Sequence, residues 1–432
     1  METPQVSPVD LSSVPHVVVV GGGFAGVSAV KALANQAVRV TLIDRHNFHT
    51  FMPLLYQVAT AGLEPADVAY PIRTIFGHAK NVRVRHARVN GVDRERNAVA
   101  LDDGTEIAYD FLIVASGSVA AYFDIPGAKQ YSIPLYTLAN ARRLRNRLLR
   151  SLEDAEVASE TAPQELSYVV VGGGPTGVET AGALSELIEI AIRRDGMKIE
   201  RKNVTIRLVD VAPRLLTAFP RAASDYAYRQ LESMGVEVQL DRSVVEIESH
   251  AIGFSDGQRL ETDVVVWAGG ITAMGTIASQ LDMTSGPSGR ALVKGDLRII
   301  GSDNVWCVGD AAAIPERDDP STHCPQLAPV AMQSGRHASR QILRLLDGET
   351  TEDFHYVDKG IMATIGRRAA VAKIPHFPVI KGTLGWWAWL ALHLFYLVGF
   401  RNRIRVFINW TWRYFDWPSG PRLIVADAET AK

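Results

Sequence analysis

The chain has 432 residues, 47% of them hydrophobic and 21% charged, the composition of an ordered protein of two to three domains rather than a disordered or fibrous one. A net charge of -2 lacks the basic excess of a nucleic-acid binder. Two cysteines, Cys307 and Cys324, with no Cys-x-x-Cys pair, exclude a disulfide framework, a dithiol relay and a cysteine zinc site, and point to a reduced, cytosolic setting.

Residues 1–15 are polar and lack the apolar run of a secretory signal, so an exposed tail is expected there. The valine run His16–Val20 then reads as a buried parallel strand leading into Gly21-x-Gly23-x-x-Gly26 and a helical pattern over Val27–Asn35. In such a loop the first glycine permits the turn, the second lets a pyrophosphate approach the backbone, and the third lets helix pack on strand. Phe24 and Ala25 lie inside it, and the helix N-terminus offers amides to phosphate. Asp44 ends the next strand and suits adenosine ribose hydroxyls, with Arg45 beside it. The unit is then written again. Tyr168–Val171 leads into Gly172-x-Gly174-x-x-Gly177, containing Pro175 and Thr176, followed by a helical pattern over Val178–Arg194 and an acid, Asp210, at the end of Val204–Asp210. A carboxylate there accepts from a 2′-hydroxyl and repels a 2′-phosphate, which favours NADH; Arg214 would soften that preference. Each copy also has an Asp-Gly turn signal, Asp103-Gly104 and Asp256-Gly257. A strand follows each turn, one ending at Ala115 and Gly117, the other at Gly269 and Gly270. Asn304–Val308, ending in Gly309-Asp310, has no counterpart in the second copy, so the chain returns there to complete the first domain. The polar stretch between Arg150 and Pro163 links or flanks the copies.

The fold class expected is therefore α/β, with two Rossmann-like dinucleotide-binding domains, the second inserted in the first. Two such sites imply electron transfer from a nicotinamide to a flavin, since two nicotinamides have little to exchange. Gly309 and Asp310 suit a second flavin contact, although an aspartate there also serves as an ordinary helix cap. Glu179, at the start of the second copy's helix, would be stabilised by the helix dipole whatever its chemistry. His46 and His49 have no partner carboxylate or cysteine cluster, so no metal site is expected.

The tail is a distinct segment. Between His376 and Val425 six basic residues (Lys381, Arg401, Arg403, Arg405, Arg413, Arg422) face one acid, Asp416, and six of the eight tryptophans fall there. Gly382–Phe400 carries no formal charge. It is at the lower limit of length for crossing a bilayer, while its aromatic residues and following arginines fit an amphipathic, monotopic membrane anchor with a second surface helix over Val406–Trp417. A single spanning helix and a buried core helix are the alternatives.

In order and detail these parts resemble the type II NADH dehydrogenases, flavoproteins that pass electrons from NADH through FAD to quinone. The residues that carry the likeness are Phe51 to Ala59 (FMPLLYQVA), Gly172 to Glu179 (GGGPTGVE), Val308 to Asp310, Ala328 to Gln333 (APVAMQ), Asp358 to Ala363 (DKGIMA) and His393 to Arg401 (HLFYLVGFR). The resemblance implies noncovalent FAD in the first domain, bound around Gly21, Gly23, Phe24, Ala25, Gly26, Asp44, Arg45, Ala115, Gly117, Gly309 and Asp310. It implies NADH around Gly172, Gly174, Pro175, Thr176, Gly177, Glu179 and Asp210. It gives Glu179 a part in proton movement and puts Gln333 and Lys359 near flavin and quinone, with Ala328 and Pro329 on the quinone side. Pro329 replaces the glutamine usual at that point, and Gln326 stands three positions earlier. The buried or isolated settings expected for Cys307 and Cys324 disfavour relatives that work through reactive thiols.

The domains expected are FAD-binding over residues 15–125 and 271–375, NADH-binding over 126–270, and membrane-associating over 376–432. The activity expected is a NADH:quinone oxidoreductase of the respiratory chain that does not pump protons, bound peripherally at the cytoplasmic face of the inner (plasma) membrane. Its partners would be a membrane quinone and the bilayer surface, with no nucleic acid. A homodimer through the apolar tail is compatible with the pattern. A soluble FAD-dependent NADH reductase of a small electron-carrier protein is the alternative enzyme, and a redox-sensing binding protein the non-enzymatic one.

Overall fold

The computed structural model describes residues 13–162, 164–194, 196–273, 285–415 and 423–425. Most of the expected N-terminal tail, and Asp416 and Arg422 of the C-terminal segment, lie outside them. The chain divides into two compact units. Met1–His49, Tyr70–Val119 and Ile271–Asp358 form the first; Thr50–Ala69, Ala120–Gly270 and Lys359–Lys432 form the second.

In chain order the strands that frame function are β1 (His16–Val20), β2 (Arg39–Asp44), β3 (Val82–His86), β4 (Phe111–Val114), β5 (Ser132–Pro134), β6 (Leu166–Val171), β7 (Val204–Val209), β8 (Val236–Gln239), β9 (Val264–Trp267), β10 (Val305–Cys307), β11 (Ile361–Gly366), β12 (Ala369–Lys373) and β13 (Ile380–Lys381). The helices are α1 (Phe24–Leu33), α2 (Leu55–Ala59), α3 (Leu138–Ala158), α4 (Pro175–Arg194), α5 (Ala328–Leu346), α6 (Gly382–Tyr396) and α7 (Phe400–Phe415).

The first unit holds a parallel sheet in the order β10-β4-β1-β2-β3. Its central strand reads as unbroken valine because both faces are covered, and Val17, Val18 and Val19 have no exposure. β10 enters from beyond the second glycine motif and pairs with β4, Val305 opposite Leu112. On one face α1 packs against α5 at the closest approach small residues allow: a Cβ on Gly335 would strike the Ala25 carbonyl, and the Ser339 hydroxyl donates to Ala29 O at 3.0 Å. The second unit repeats the plan with β5-β9-β6-β7-β8, again parallel. Each unit adds a three-stranded antiparallel sheet whose last hairpin turns at the expected Asp-Gly pair, with Gly104 at φ 80° and Gly257 at φ 81°.

Three segments expected in the first domain, residues 50–69, 120–125 and 359–375, fall in the second unit. Within residues 50–69, α2 packs on α3 and α4, and residues 359–375 supply β11, against which α4 lies, and β12, which pairs with it. Neither attachment is visible in local periodicity, because each is set by the face of a helix elsewhere in the chain.

The uncharged run also divides differently from its sequence pattern. α6 ends at Tyr396, Leu397 turns extended, and Gly399 at φ 88° lets α7 start at Phe400 rather than at Val406. Arg403 closes this corner by donating from Nε to Leu397 O at 2.7 Å. No helix among the described residues is long and apolar enough to cross a membrane.

Candidate functional site

In the first unit the turn between β1 and α1 has the geometry its glycines require. Gly21 has φ 106°, and a Cβ on Gly26 would collide with Gly21 O. A Cβ on Gly23 would meet nothing within 4 Å. Gly23 begins α1 without a side-chain cap, and the first turn carries no acid, so its amides face open space in the manner of a phosphate site. Asp44 accepts from Gly22 N at 2.5 Å and from His46 N at 2.6 Å, which aims the carboxylate beside the loop while leaving lone pairs for a ribose hydroxyl. His49, buried and held neutral by that burial, pairs its Nδ1 with Gly22 O at 2.9 Å and packs edge-on against Phe24. Asp310 follows Gly309 in a short helical turn and accepts from the Ser118 hydroxyl at 3.0 Å. Enclosure pushes the Asp310 carboxyl up, against the pull of Ser118 and the charge of Arg290. An open cradle, a positioned carboxylate and a second polar anchor fit a dinucleotide such as FAD.

The remaining candidates of this unit are placed as follows. Ala115 ends β4, and its carbonyl would meet any side chain at Gly21; Gly117 follows at φ 72°. Arg45 is half-buried next to Asp44. Ala328 and Pro329 open α5, where proline's missing N–H breaks no helical bond. Gln333 has both ends of its amide committed within the unit: Nε2 donates to Val357 O at 2.9 Å, and Oε1 accepts from Val357 N at 3.0 Å. Gln326 donates to Asp310 O at 3.0 Å.

The second unit carries the same turn. Gly172 has φ 113°, a Cβ on Gly177 would collide with Gly172 O, and Gly174 is open. Pro175 and Thr176 are exposed at the start of α4. Asp210 accepts from Gly173 N and, at 2.6 Å, from Ala212 N. Arg214 is committed elsewhere, donating to Phe219 O at 2.8 Å and Thr217 O at 2.6 Å. The softening of nucleotide preference expected from Arg214 therefore has a structural obstacle.

Along α4 from this turn lies Glu179. It sits past the first turn of the helix, where burial rather than the helix terminus governs it. A Cβ on Gly182 would strike Ile365 O, and this close approach brings β11 onto the helix, so that Thr364 N donates to Glu179 Oε1 at 3.2 Å. Burial outweighs that bond and the neighbouring Trp389 indole, and the carboxyl is pushed up to about 8. Trp389 Nε1 faces the carboxyl without closing a hydrogen bond of normal geometry.

Glu179 opens into a cleft. Tyr56, Gln57 and Thr60 form one wall; Ala183, Glu186 and Ile190 of α4, with Thr364 and Arg367, form a second; Trp386, Trp389, Leu390 and Trp410 of α6 and α7 form the third. Trp410 Nε1 donates to Gln57 Oε1 at 3.0 Å, and Gln57 Nε2 to the Tyr56 hydroxyl at 2.8 Å. His393 stacks on Trp389 at 4.0 Å, and burial lowers it to about 4. α7 is clamped by buried Asp67, which meets Arg405 at 2.7 Å and Asn409 at 3.2 Å, while Asn402 donates to Asp67 O at 2.6 Å. The opposite faces of the two helices are apolar and exposed: Leu384, Trp387, Phe395, Phe400, Ile404, Phe407 and Ile408.

Residues 15–335 match the pyridine nucleotide-disulphide oxidoreductase family and residues 359–416 the NDH2 C-terminal domain. The type II NADH:quinone oxidoreductase NdhA of Mycobacterium tuberculosis is 38% identical over 91% of this chain and 86% of its own. The chain belongs to the type II NADH:quinone oxidoreductase family. The Staphylococcus aureus member is 30% identical over 84% of this chain and 90% of its own. A solved structure of NDH2 from Plasmodium falciparum in complex with NADH superposes with a TM-score of 0.84 over 95% of this chain and 100% of that one, at 19% identity, a likeness of fold.

In this type II NADH:quinone oxidoreductase the structure brings further residues, given no individual role from the sequence, to the two sites. Ser118 and Arg290 hold the Asp310 environment, and Tyr56, Gln57, Thr364, Glu186 and Trp389 build the cleft. Tyr56 and Gln57 stand in the FMPLLYQVA motif, and Glu186 had a local signal of its own, seven residues from Glu179 and so on the same helix face. Lys359 is exposed where the second unit's last segment begins. Cys307 and Cys324 are both buried, and burial raises both thiols, Cys307 to about 12, which keeps them from acting as thiolates.

Proposed function

We propose that the chain is a NADH:quinone oxidoreductase that does not pump protons, with FAD held by the first unit, NADH by the glycine turn of the second, and quinone entering the cleft beside Glu179. FAD, when bound, supplies the hydride acceptor for NADH and the electron donor for quinone. The protein's own residues do the positioning. Gly23 and the α1 amides receive the FAD pyrophosphate, Asp44 the adenosine ribose, and Asp310 the flavin end, with Arg45, Ala115, Gly117 and Gly309 around it. Gly174 and the α4 amides receive NADH, and Asp210 selects its 2′-hydroxyl. On the quinone side we place Ala328, Pro329, Gln333 and Lys359, with Gln333 acting through the Val357 backbone it holds.

The single observation that carries the reading is the setting of Glu179: a carboxyl that keeps its proton to about pH 8, opening into a cleft walled by aromatic side chains. A carboxyl that burial keeps protonated is a proton donor matched to quinone reduction at neutral pH. The exposed apolar faces of α6 and α7, with Arg401 and Arg405 also exposed, support a peripheral anchor. We place it at the anionic cytoplasmic leaflet, the apolar side chains in the acyl boundary and the arginines among the headgroups.

The test is an anaerobic absorption spectrum of the purified protein before NADH, after NADH, and after a short-chain quinone analogue. The flavin spectrum bleaches with NADH and returns with quinone. Bleaching without return would point instead to a carrier-protein acceptor, and absence of flavin would overturn the reading.

A further inference from the structure

Glu179 is sealed. It has 9% exposure, and its polar neighbours are the Thr364 amide and the Trp389 indole. A donor so enclosed must be resupplied in each turnover. The net conversion is NADH + H⁺ + quinone → NAD⁺ + quinol: the hydride brings two electrons and one proton, and the second proton comes from water.

We propose that Glu186 is the relay residue that passes this proton from solvent to Glu179, which then delivers it to the quinone oxygen; the inference rests on the role given to Glu179 above. Both carboxylates belong to α4, and both line the cleft. Seven residues put them on one face of the helix, two turns and roughly 10 Å apart along the axis. Between them on that face stands Ala183, also a cleft residue, whose methyl is the smallest side chain that α4 presents to the cleft. Glu186 is only partly buried, where Glu179 is enclosed. Its Oε1 accepts from Arg367 N at 2.5 Å, which fixes the carboxylate at the cleft rim. The titratable and charged groups facing this space are Glu179 and Glu186 from α4, Tyr56 from α2 and Arg367 after β11, with His393 of α6 stacked on Trp389.

The experiment compares holoenzyme with Glu186→Gln, Glu186→Asp and Glu179→Gln. Flavin bleaching by NADH and flavin recovery with a short-chain ubiquinone analogue are followed separately between about pH 6 and 9. In the oxidised proteins, infrared spectra follow deuterium exchange at the Glu179 carboxyl, its band assigned by its loss in E179Q. For E186Q the expected result is wild-type bleaching, recovery slowed at least about tenfold, the low side of what a positioned proton donor contributes, and slower exchange at Glu179. E186D, or added imidazole, restores recovery.

Wild-type recovery and exchange in E186Q would overturn the relay. So would a loss that extends to the bleaching step and that neither E186D nor imidazole relieves, since Glu186 would then only hold the Arg367 turn. If E179Q itself recovers normally, the role given to Glu179 fails; if E179Q is slow and E186Q normal, the relay alone fails.

Discussion

Glu179 shows how one residue's chemistry depends on what packs over it. In an exposed helix its carboxyl would titrate near 4.5; buried against β11 and Trp389 it titrates near 8. Quinone-dependent recovery of the flavin should accordingly fall as pH rises through about 8, and Glu179→Gln should slow that step about a hundredfold and remove the pH break, read by stopped-flow absorbance. The same shift has a stability consequence. Because the folded pKa lies above the unfolded one, the folded state retains a proton between them, and stability contributed by that proton is lost as pH rises from about 4.5 to about 8. The melting temperature of Glu179→Gln relative to wild type should therefore climb across that window and level off beyond it. Asp210 supports a different prediction. Asp210→Ala should narrow the NADH over NADPH preference by about tenfold or more in kcat/KM, the cost of one charge-assisted ribose contact. Arg214→Ala should leave the ratio near its starting value, because the Arg214 guanidinium is bound to the carbonyls of Phe219 and Thr217.

At the scale of elements, the two glycine turns and the helices after them were legible because steric demand is local: only glycine fits where a Cβ would meet the backbone at Gly26 and Gly177. The corner between α6 and α7 was less legible. Its apolar run continues through Leu397 and Phe400, and only the positive φ of Gly399 and the Arg403 contact divide it. α7 is held by the turn at Glu64–Asp67. Asp67→Ala strands Arg405, Asn409 and the Glu64 amide at once. Since Arg405 is about half exposed, solvent takes up part of the loss, and the expected cost is about 2 kcal/mol. Thermal unfolding monitored by tryptophan fluorescence should report this as a lower transition, with Trp410 loosened from Gln57.

For the whole molecule, the anchoring surface yields the prediction that the protein co-sediments with vesicles containing anionic phospholipid and that Phe400→Ser with Phe407→Ser weakens this about tenfold or more. Two phenylalanine side chains withdrawn from the acyl boundary account for that magnitude. Arg401→Gln should weaken binding at low salt and make it less sensitive to added salt, because one of the screened charge contacts is gone. The sequence alone determined the doubled dinucleotide plan, the return of the chain to complete the first sheet at Val305–Cys307, the two acids at the strand ends, and a C-terminal segment unlike the rest. Each of these is written in local spacing, strand by strand and turn by turn. Tertiary structure decided which unit takes residues 50–69 and 359–375, that Arg214 and Gln333 have their polar groups committed, and that Tyr56, Gln57, Thr364 and Trp389 meet around Glu179. Those residues come from four separated stretches of chain. Their meeting depends on how α2, α4, β11 and α6 pack, and the burial that raises the Glu179 carboxyl exists only once they have done so.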